Sequence, residues 1–463
     1  MSKVKIGYLP LYIKLYDDSN PQEREPMERY MHTLVNMLEA QGLEVVTAPV
    51  CRIKPEFEAA VELFRQADVA AVVTQHLAYS PSLESIDALE KAGVPIIVLD
   101  TTPDYSLIDC AGYYRGIMPN HGIHGVQDMC NLLRRRGIEY YLCVGHAMHS
   151  EVIAQTAGLC RAAAAAKAYR TAKVGSVGGS FTGMGDFLVT DEDYKAKIGA
   201  EVSYMEKPDV AAYLQKVTDA EIEAEMACDA QTFTVEITDQ AAYREATRSG
   251  LAVRRWAEDK KLTALTVNFL TLDICGLPKM PFVECSKAMV RGMGYAGEGD
   301  VLTAGLVGAL RSVYPNTTFT EMFCPDWKED VVLLSHMGEA NYSLAQWKPI
   351  LRSVPFNYNS CGTTAAAYTC FRAGKAVFVN VAPGPDGFSM FTAPVEMLGC
   401  GLEYGAYRNS TQGWMKPPMA LPEFLKAFSE LGGTHHSALV YDGDLDEILA
   451  FGRMMGFEVH SIG

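Results

Sequence analysis

The chain has 463 residues, 49% of them hydrophobic and 21% charged, which is enough apolar material for two or three separately cored domains. Its formal net charge of -16 argues against nucleic acid or an anionic membrane as the main partner, though a local basic pocket could still take a small anionic substrate. The 12 cysteines are scattered with no C-x-x-C, which suits free thiols in a reducing cytosol; "MSKVKIGYLPLY" lacks the apolar core and cleavage site of a secretory signal, and no apolar run reaches membrane-spanning length, so a soluble cytoplasmic protein is expected.

In chain order, "VKIGYL" predicts a strand and "PMERYMHTLVNMLEAQG" a helix that Gly42 ends. Next come "LEVVTA" (strand), "EFEAAVELFRQA" (helix), "DVAAVVT" (strand), "SLESIDALEKAG" (helix) and "VPIIVLDTT" (strand). "EYYLCVGH" and "HSEVIAQTAGLCRAAAAAKAYR" continue the alternation. Val/Ile-rich runs separated by helices imply a parallel sheet covered on both faces, hence a doubly wound α/β domain to about residue 171. Ligands of such sheets lie beyond the carboxyl ends of the strands, which points to Leu11 and Tyr12, to the stretch from Asp100, and to "MPNHGIHGVQD" with Asn120, His121 and His124. The H-x-x-H spacings His121/His124 and His146/His149 could suit a metal; the blander reading is a capping or packing histidine.

The texture changes at "TAKVGSVGGSFTGMGD", where glycines suggest loops near a ligand or a domain seam. "DAEIEAEMACDAQ" reads as a solvated helix face, and "KLTALTVNFL", with Phe269, as a strand. From about Glu321 the chain turns mixed, with strands in "DVVLLSHMGE", "KAVFVNVAPG" and "HHSALVYDG" and a late helix in "DLDEILAFGRMMG".

"RGMGYAGEGD" contains a literal G-x-G-x-x-G at Gly292, Gly294 and Gly297. A dinucleotide loop must follow a strand and open a helix. The preceding "PFVECSKAMVR" reads instead as a helix that Gly292 ends, and Glu298 and Asp300 stand where phosphates would approach. The reading is a Gly-rich loop in which Asp300 caps "VLTAGLVGALRSV" and Glu298 points into a cavity. Downstream, Glu321 lies in an apolar run, His336 ends another, and His435 and His436 precede a third. One such residue is usually a satisfied core group. Two carboxylates with two imidazole-bearing segments make a mixed O/N donor set for a divalent Mn, Fe, Co or Zn ion, because buried charges must be paired or bind metal.

"GYAGEGD", "FTE", "SHM" and "GGTHH", in that order, resemble the L-fucose/L-arabinose isomerase family, and the arabinose enzymes most. "LPLY", "NHGIHG", "FLVTDEDYKAKIG" and "VNFLTLD" support the likeness, which runs along nearly the whole chain. It implies an α/β protein in three parts: a Rossmann-like N-terminal domain (1–171), a central α/β domain (172–320) and a C-terminal α+β domain with a β-barrel-like core (321–463). It also implies a Mn-dependent aldose–ketose isomerase whose metal ligands fall on Glu298, Glu321, His336 and one of His435 and His436, of which we take His436. Family substrate contacts fall on Leu11, Tyr12, His124, Met184 and Phe269, with His435 beside them. The family assembles as hexamers, the active site lying between subunits. Two features depart from the arabinose pattern: Leu9-Pro10-Leu11-Tyr12 replaces a "QHLY"-like stretch, and the first half of "YSLAQWKPILRSVPFNYNSCGTTAAAYTCF" does not align. Both bear on which sugar is used.

Aldose–ketose isomerisation needs a polarised carbonyl, loss of a carbon proton to give an enediol, and return of a proton one carbon over. A divalent metal serves the first need, and Glu298 and Glu321 are the candidates for the proton work. No nicotinamide is required. The competing readings are a metal-dependent hydrolase or sugar epimerase using the same ligands, and a non-catalytic cytosolic sugar-binding module.

Overall fold

The computed structural model describes residues 3–108, 116–399 and 411–463. The chain forms two compact units, Met1–Ala164 and Ala165–Gly463.

The first unit holds β1 (Val4–Leu11), β2 (Leu43–Thr47), β3 (Val72–His76), β4 (Ile96–Asp100) and β5 (Tyr140–Val144), all parallel, in the order β2-β1-β3-β4-β5. The expected parallel sheet is present. Its strand order is that of flavodoxin-like sheets, not the 3-2-1-4-5-6 order of dinucleotide-binding Rossmann domains. β3 is buried throughout, its polar Thr74, Gln75 and His76 included, and so are Ile96, Ile97, Val98 and Leu99 of β4; burial on both faces is why their Val/Ile stretches show no alternation. Helix Lys54–Gln66 shows how the faces are covered. Phe57, Ala60, Val61 and Phe64 recur at helical spacing and are buried in the same core as Val72 and Val98. Burying each phenylalanine contributes about 1.5–3 kcal/mol. The fit is close: a Cβ at Gly7 of β1 would meet the Phe64 ring at 2.6 Å, so Gly7→Ala would break this packing.

The second unit opens with β6 (Lys173–Val177), β7 (Glu201–Met205), β8 (Thr234–Glu236), β9 (Ala264–Val267) and β10 (Gly294–Gly297). β10-β9-β6-β7 is a second parallel sheet. The strands β11 (Thr317–Asp326), β12 (Val331–Ser335), β13 (Ile350–Val354), β14 (Thr364–Tyr368), β15 (Gly374–Pro383), β16 (Phe388–Met397), β17 (Gly413–Lys416), β18 (His436–Tyr441) and β19 (Glu458–Ser461) follow. β13 joins β14 and β8 in a small sheet. β15-β18-β11-β12-β17-β16 closes into a barrel through the β15–β16 pairing, and β19 adds to β16. Alternate residues fill its interior, among them Leu334, Phe378, Phe391, Met415 and Leu439, packed against Phe424 and Phe428 of helix Leu421–Glu430.

Two expectations are corrected. The Gly-rich "loop" is a buried strand, β10, between helices Phe282–Val290 and Val301–Arg311. Its glycines serve close packing: a Cβ at Gly294 would meet Ala304 O at 2.2 Å and Gly308 N at 2.4 Å. Among the cysteines, Cys370 is disulfide-bonded while Cys51, Cys130, Cys143, Cys160, Cys228, Cys275, Cys285, Cys324 and Cys361 are free. Residue spacing alone does not reveal a disulfide pairing. Among the described residues no helix is long and apolar enough to cross a membrane.

Candidate metal centre

Strand register assembles the site. Glu321 on β11 is paired with His436 at the start of β18 and with Ser335 at the end of β12, and His336 follows Ser335 directly. Glu298 arrives from the second parallel sheet, on the turn between β10 and helix Val301–Arg311, with a left-handed φ of 62°. A non-glycine residue there is strained by roughly 1–2 kcal/mol, and such strain clusters at functional sites. Gly297 lets β10 approach the barrel: a Cβ there would meet His336 Cε1 at 2.6 Å and Nε2 at 2.9 Å.

Two donor groups result. Glu298, His435 and His436 form one, and Glu321, His336 and His436 the other; within each group the ligand atoms lie within 4.8 Å of one another. His436 is common to both. The four ligands expected from sequence thus fall into two overlapping triads that share one imidazole, and His435 enters one of them.

Buried carboxylates hold the far sides of the rings. His436 Nδ1 lies 3.0 Å from Asp300 Oδ2, and His336 Nδ1 lies 2.7 Å from Glu339 Oε2. Tyr295 donates its hydroxyl to the other Glu339 oxygen at 2.8 Å. Such carboxylate–histidine pairs turn the opposite nitrogen toward an ion. Asp300 also accepts from Thr303 N at 2.8 Å, the helix cap expected from sequence. Sequence reasoning missed the second use of Asp300, and missed Glu339 and Asp186 altogether. The spacing His336-x-x-Glu339 was the available signal for Glu339.

The electrostatics follow from burial set against these partners. Burial pushes the Glu321 carboxyl up. Burial also acts to raise Glu298, but a hydrogen bond from His435 and the nearby His336 and His436 outweigh it and hold the carboxyl below its ordinary range. Burial acts to lower His336, yet Glu339 raises it on balance. His435 is raised to about 10: its burial is outweighed by Asp186 and Glu298.

A resident ion can be tested against this donor set. His436 Nε2 is buried without a hydrogen-bond partner. An orphaned imidazole nitrogen facing Glu298 Oε2 at 3.6 Å is costly unless something fills the gap, and mixed carboxylate–imidazole donors suit a divalent transition ion. The residues fit a metal.

The remaining expected residues are distributed as follows. Phe269 is buried at the end of β9, its ring 5.4 Å from Phe181 and 5.8 Å from Tyr358. Met184 is half-buried on the segment after Phe181, whose main-chain N–H donates to Glu298 O at 3.0 Å. Leu11 and Tyr12 lie in the first unit, buried at the carboxyl end of β1. His124 is exposed on the first turn of helix Ile123–Arg135, which agrees with a helix entry there. His121 is occupied by Tyr16 and Met118, and among the described residues neither H-x-x-H pair joins a metal-donor group.

Residues 182–315 match the L-arabinose isomerase central domain, and residues 316–458 its C-terminal domain. The chain belongs to the L-arabinose isomerase-like family. It is thereby an aldose–ketose isomerase, an intramolecular oxidoreductase. Among its relatives are L-arabinose isomerases of Aeromonas salmonicida, 24% identical over 93% of this chain and 89% of that one, and of Leuconostoc mesenteroides, 26% identical over 86% of each. That of Oceanobacillus iheyensis is 25% identical over 84% of each. A solute-binding protein of Actinobacillus succinogenes with bound D-allose aligns at a TM-score of 0.18 and 14% identity over 67% of this chain and 92% of that one, too loosely to support the binding-module alternative.

Proposed function

We propose that the chain is a Mn-dependent isomerase that converts a free aldose, L-arabinose- or L-fucose-like or a modified sugar, into its ketose through an enediol. The observation that carries this reading is the pair of carboxylate–imidazole groups that share His436, whose buried Nε2 has no hydrogen-bond partner. Glu298, Glu321, His336 and His436 would hold the ion. When bound, it supplies Lewis acidity to the sugar carbonyl and its neighbouring hydroxyl.

The chain's own residues do the rest. One of Glu298 and Glu321 takes the proton from the sugar C2, and a proton is returned at C1. The other moves the hydroxyl proton between O1 and O2, so atoms balance with no hydride acceptor. Asp300 and Glu339 keep His436 and His336 turned toward the centre. Phe269 and Met184 contribute the apolar side of the sugar site, and His435 a polar contact. Leu11 and Tyr12 are further sugar contacts, and His124 comes from a neighbouring copy in a cytoplasmic hexamer. The three-domain division at 171/172 and 320/321 belongs to the same reading, and the change of family model between residues 315 and 316 supports its second boundary.

The test is ketose formation from a panel of free aldoses, with and without Mn, using Glu298→Gln as control. Metal-dependent turnover that the variant lacks supports the reading. Turnover that is equal without metal, or that survives in Glu298→Gln, sinks it.

A further inference from the structure

Asp186 stands outside both donor groups, yet it grips a member of one. A single oxygen, Oδ2, receives the main-chain N–H of His435 at 3.0 Å and lies 2.6 Å from the same residue's Nδ1. Two bonds to one acceptor fix the ring's position and its rotation together. They leave Nε2 aimed at Glu298 Oε2, 3.5 Å away. His436, next in the chain, has its Nδ1 held by Asp300 and also brings Nε2 to within 3.6 Å of Glu298. The two rings are only 4.2 Å apart between centroids. Both are clamped by a carboxylate, but their surroundings differ. His436 is fully buried, its Nε2 has no hydrogen-bond partner, and it belongs to both donor groups. His435 belongs to one group, its side chain is 31% exposed, and its Nε2 already has a carboxylate partner.

We propose that Asp186 is a positioning residue: it turns His435 onto Glu298 and toward the open side of the site, so that His435 serves Glu298 and the sugar while His436 alone of the pair serves the ion. This rests on the metal-isomerase reading above. The clamp reaches across the second unit, because Asp186 follows β6 and His435 immediately precedes β18. It therefore also ties the parallel-sheet half of the site to the barrel half.

The experiment compares Asp186→Ala, Asp186→Asn, His435→Ala, the Asp186→Ala/His435→Ala double variant and His436→Ala. Three readouts are taken: Mn titration of the metal-free protein, histidine 15N spectra, and kcat and KM on the aldose the wild type turns over. In Asp186→Ala the His435 ring resonances move while those of His336 and His436 stay. Its Mn affinity stays within about threefold, whereas His436→Ala weakens binding about 100-fold, and its kcat falls by about tenfold or more. The double variant is no worse than His435→Ala, as expected if Asp186 acts through that ring. Asp186→Asn, which keeps an acceptor, falls between wild type and alanine. The proposal is overturned if Asp186→Ala weakens Mn binding as much as His436→Ala does, if the His435 resonances or kcat do not change, or if the double variant is additive. Unchanged Mn affinity in His436→Ala and Glu298→Gln would instead bring down the metal reading, and the 15N spectra would still report on the clamp.

Discussion

His436 and Asp300 are both fully buried and lie 3.0 Å apart, Nδ1 to Oδ2, so one carboxylate orients the shared imidazole while its other oxygen caps helix Val301–Arg311. Asp300→Asn separates the two duties. The amide oxygen can still cap, but its NH2 now faces Nδ1 and favours the tautomer with a proton on Nε2, closing the lone pair an ion would use. We expect Mn affinity to fall about 10–100-fold with little loss of thermal stability. Asp300→Ala should also lose the cap, about 1 kcal/mol, in denaturant unfolding. Unchanged Mn affinity in Asp300→Asn would refute the orienting role.

The strained turn at Glu298 gives a second prediction. Its φ of 62° suits glycine, so Glu298→Gly should relieve roughly 1 kcal/mol in the metal-free protein while abolishing turnover. A calorimetric scan paired with the isomerase assay checks this. A variant that melts lower than wild type would show that Glu298 contributes to stability instead of spending it.

Gly294 and Gly297, three residues apart on β10, should respond differently to alanine. At Gly294 the added Cβ strikes the backbone of helix Val301–Arg311, which cannot yield, and expression or folding should fail. At Gly297 it strikes the His336 ring, so the fold should survive with activity and Mn binding reduced by tenfold or more. Gel filtration and Mn titration of both variants decide; a Gly297→Ala protein with wild-type Mn affinity contradicts the placement of His336.

In the first unit, His76 is buried with neither ring nitrogen partnered, and burial lowers its pKa to about 3 against some opposition from Asp128. The neutral ring is the folded form. The stability it allows is complete above about 6.5 and is lost progressively as pH falls from there toward 3, at about 1.4 kcal/mol per pH unit. Denaturant unfolding at pH 7.5 and 5.5 should show wild type losing about 1 kcal/mol more than His76→Gln. Equal losses would mean the ring is hydrated and not dry.

Part of this site was legible from residue type. Glu321, His336 and the His435–His436 pair lie in or beside apolar runs and, with Glu298 in its Gly-rich stretch, suggest a mixed carboxylate–imidazole donor set. The assignment to Glu298, Glu321, His336 and His436 comes from the family resemblance. The parallel sheet was legible because the Val/Ile runs that lead into β3 and fill most of β4 are apolar and do not alternate, although β3 ends in the buried polar residues Thr74, Gln75 and His76. β10 was not, since "GYAG" has neither β-branched nor alternating residues; the contacts of Gly294 and Gly297 with a helix and a histidine determine it, and those are tertiary. Asp300 looked like a cap and is one, which hid its second bond. Asp186 reaches a residue 249 positions away, beyond any local pattern.

The proposed ion lies where the two donor groups share His436. Diffraction from crystals grown with Mn, collected on both sides of the Mn absorption edge, tests it most directly. One anomalous peak per chain is expected within bonding distance of His436 Nε2 and of carboxylate oxygens of Glu298 and Glu321. A peak elsewhere, or none there from protein that binds Mn tightly in solution, would contradict it.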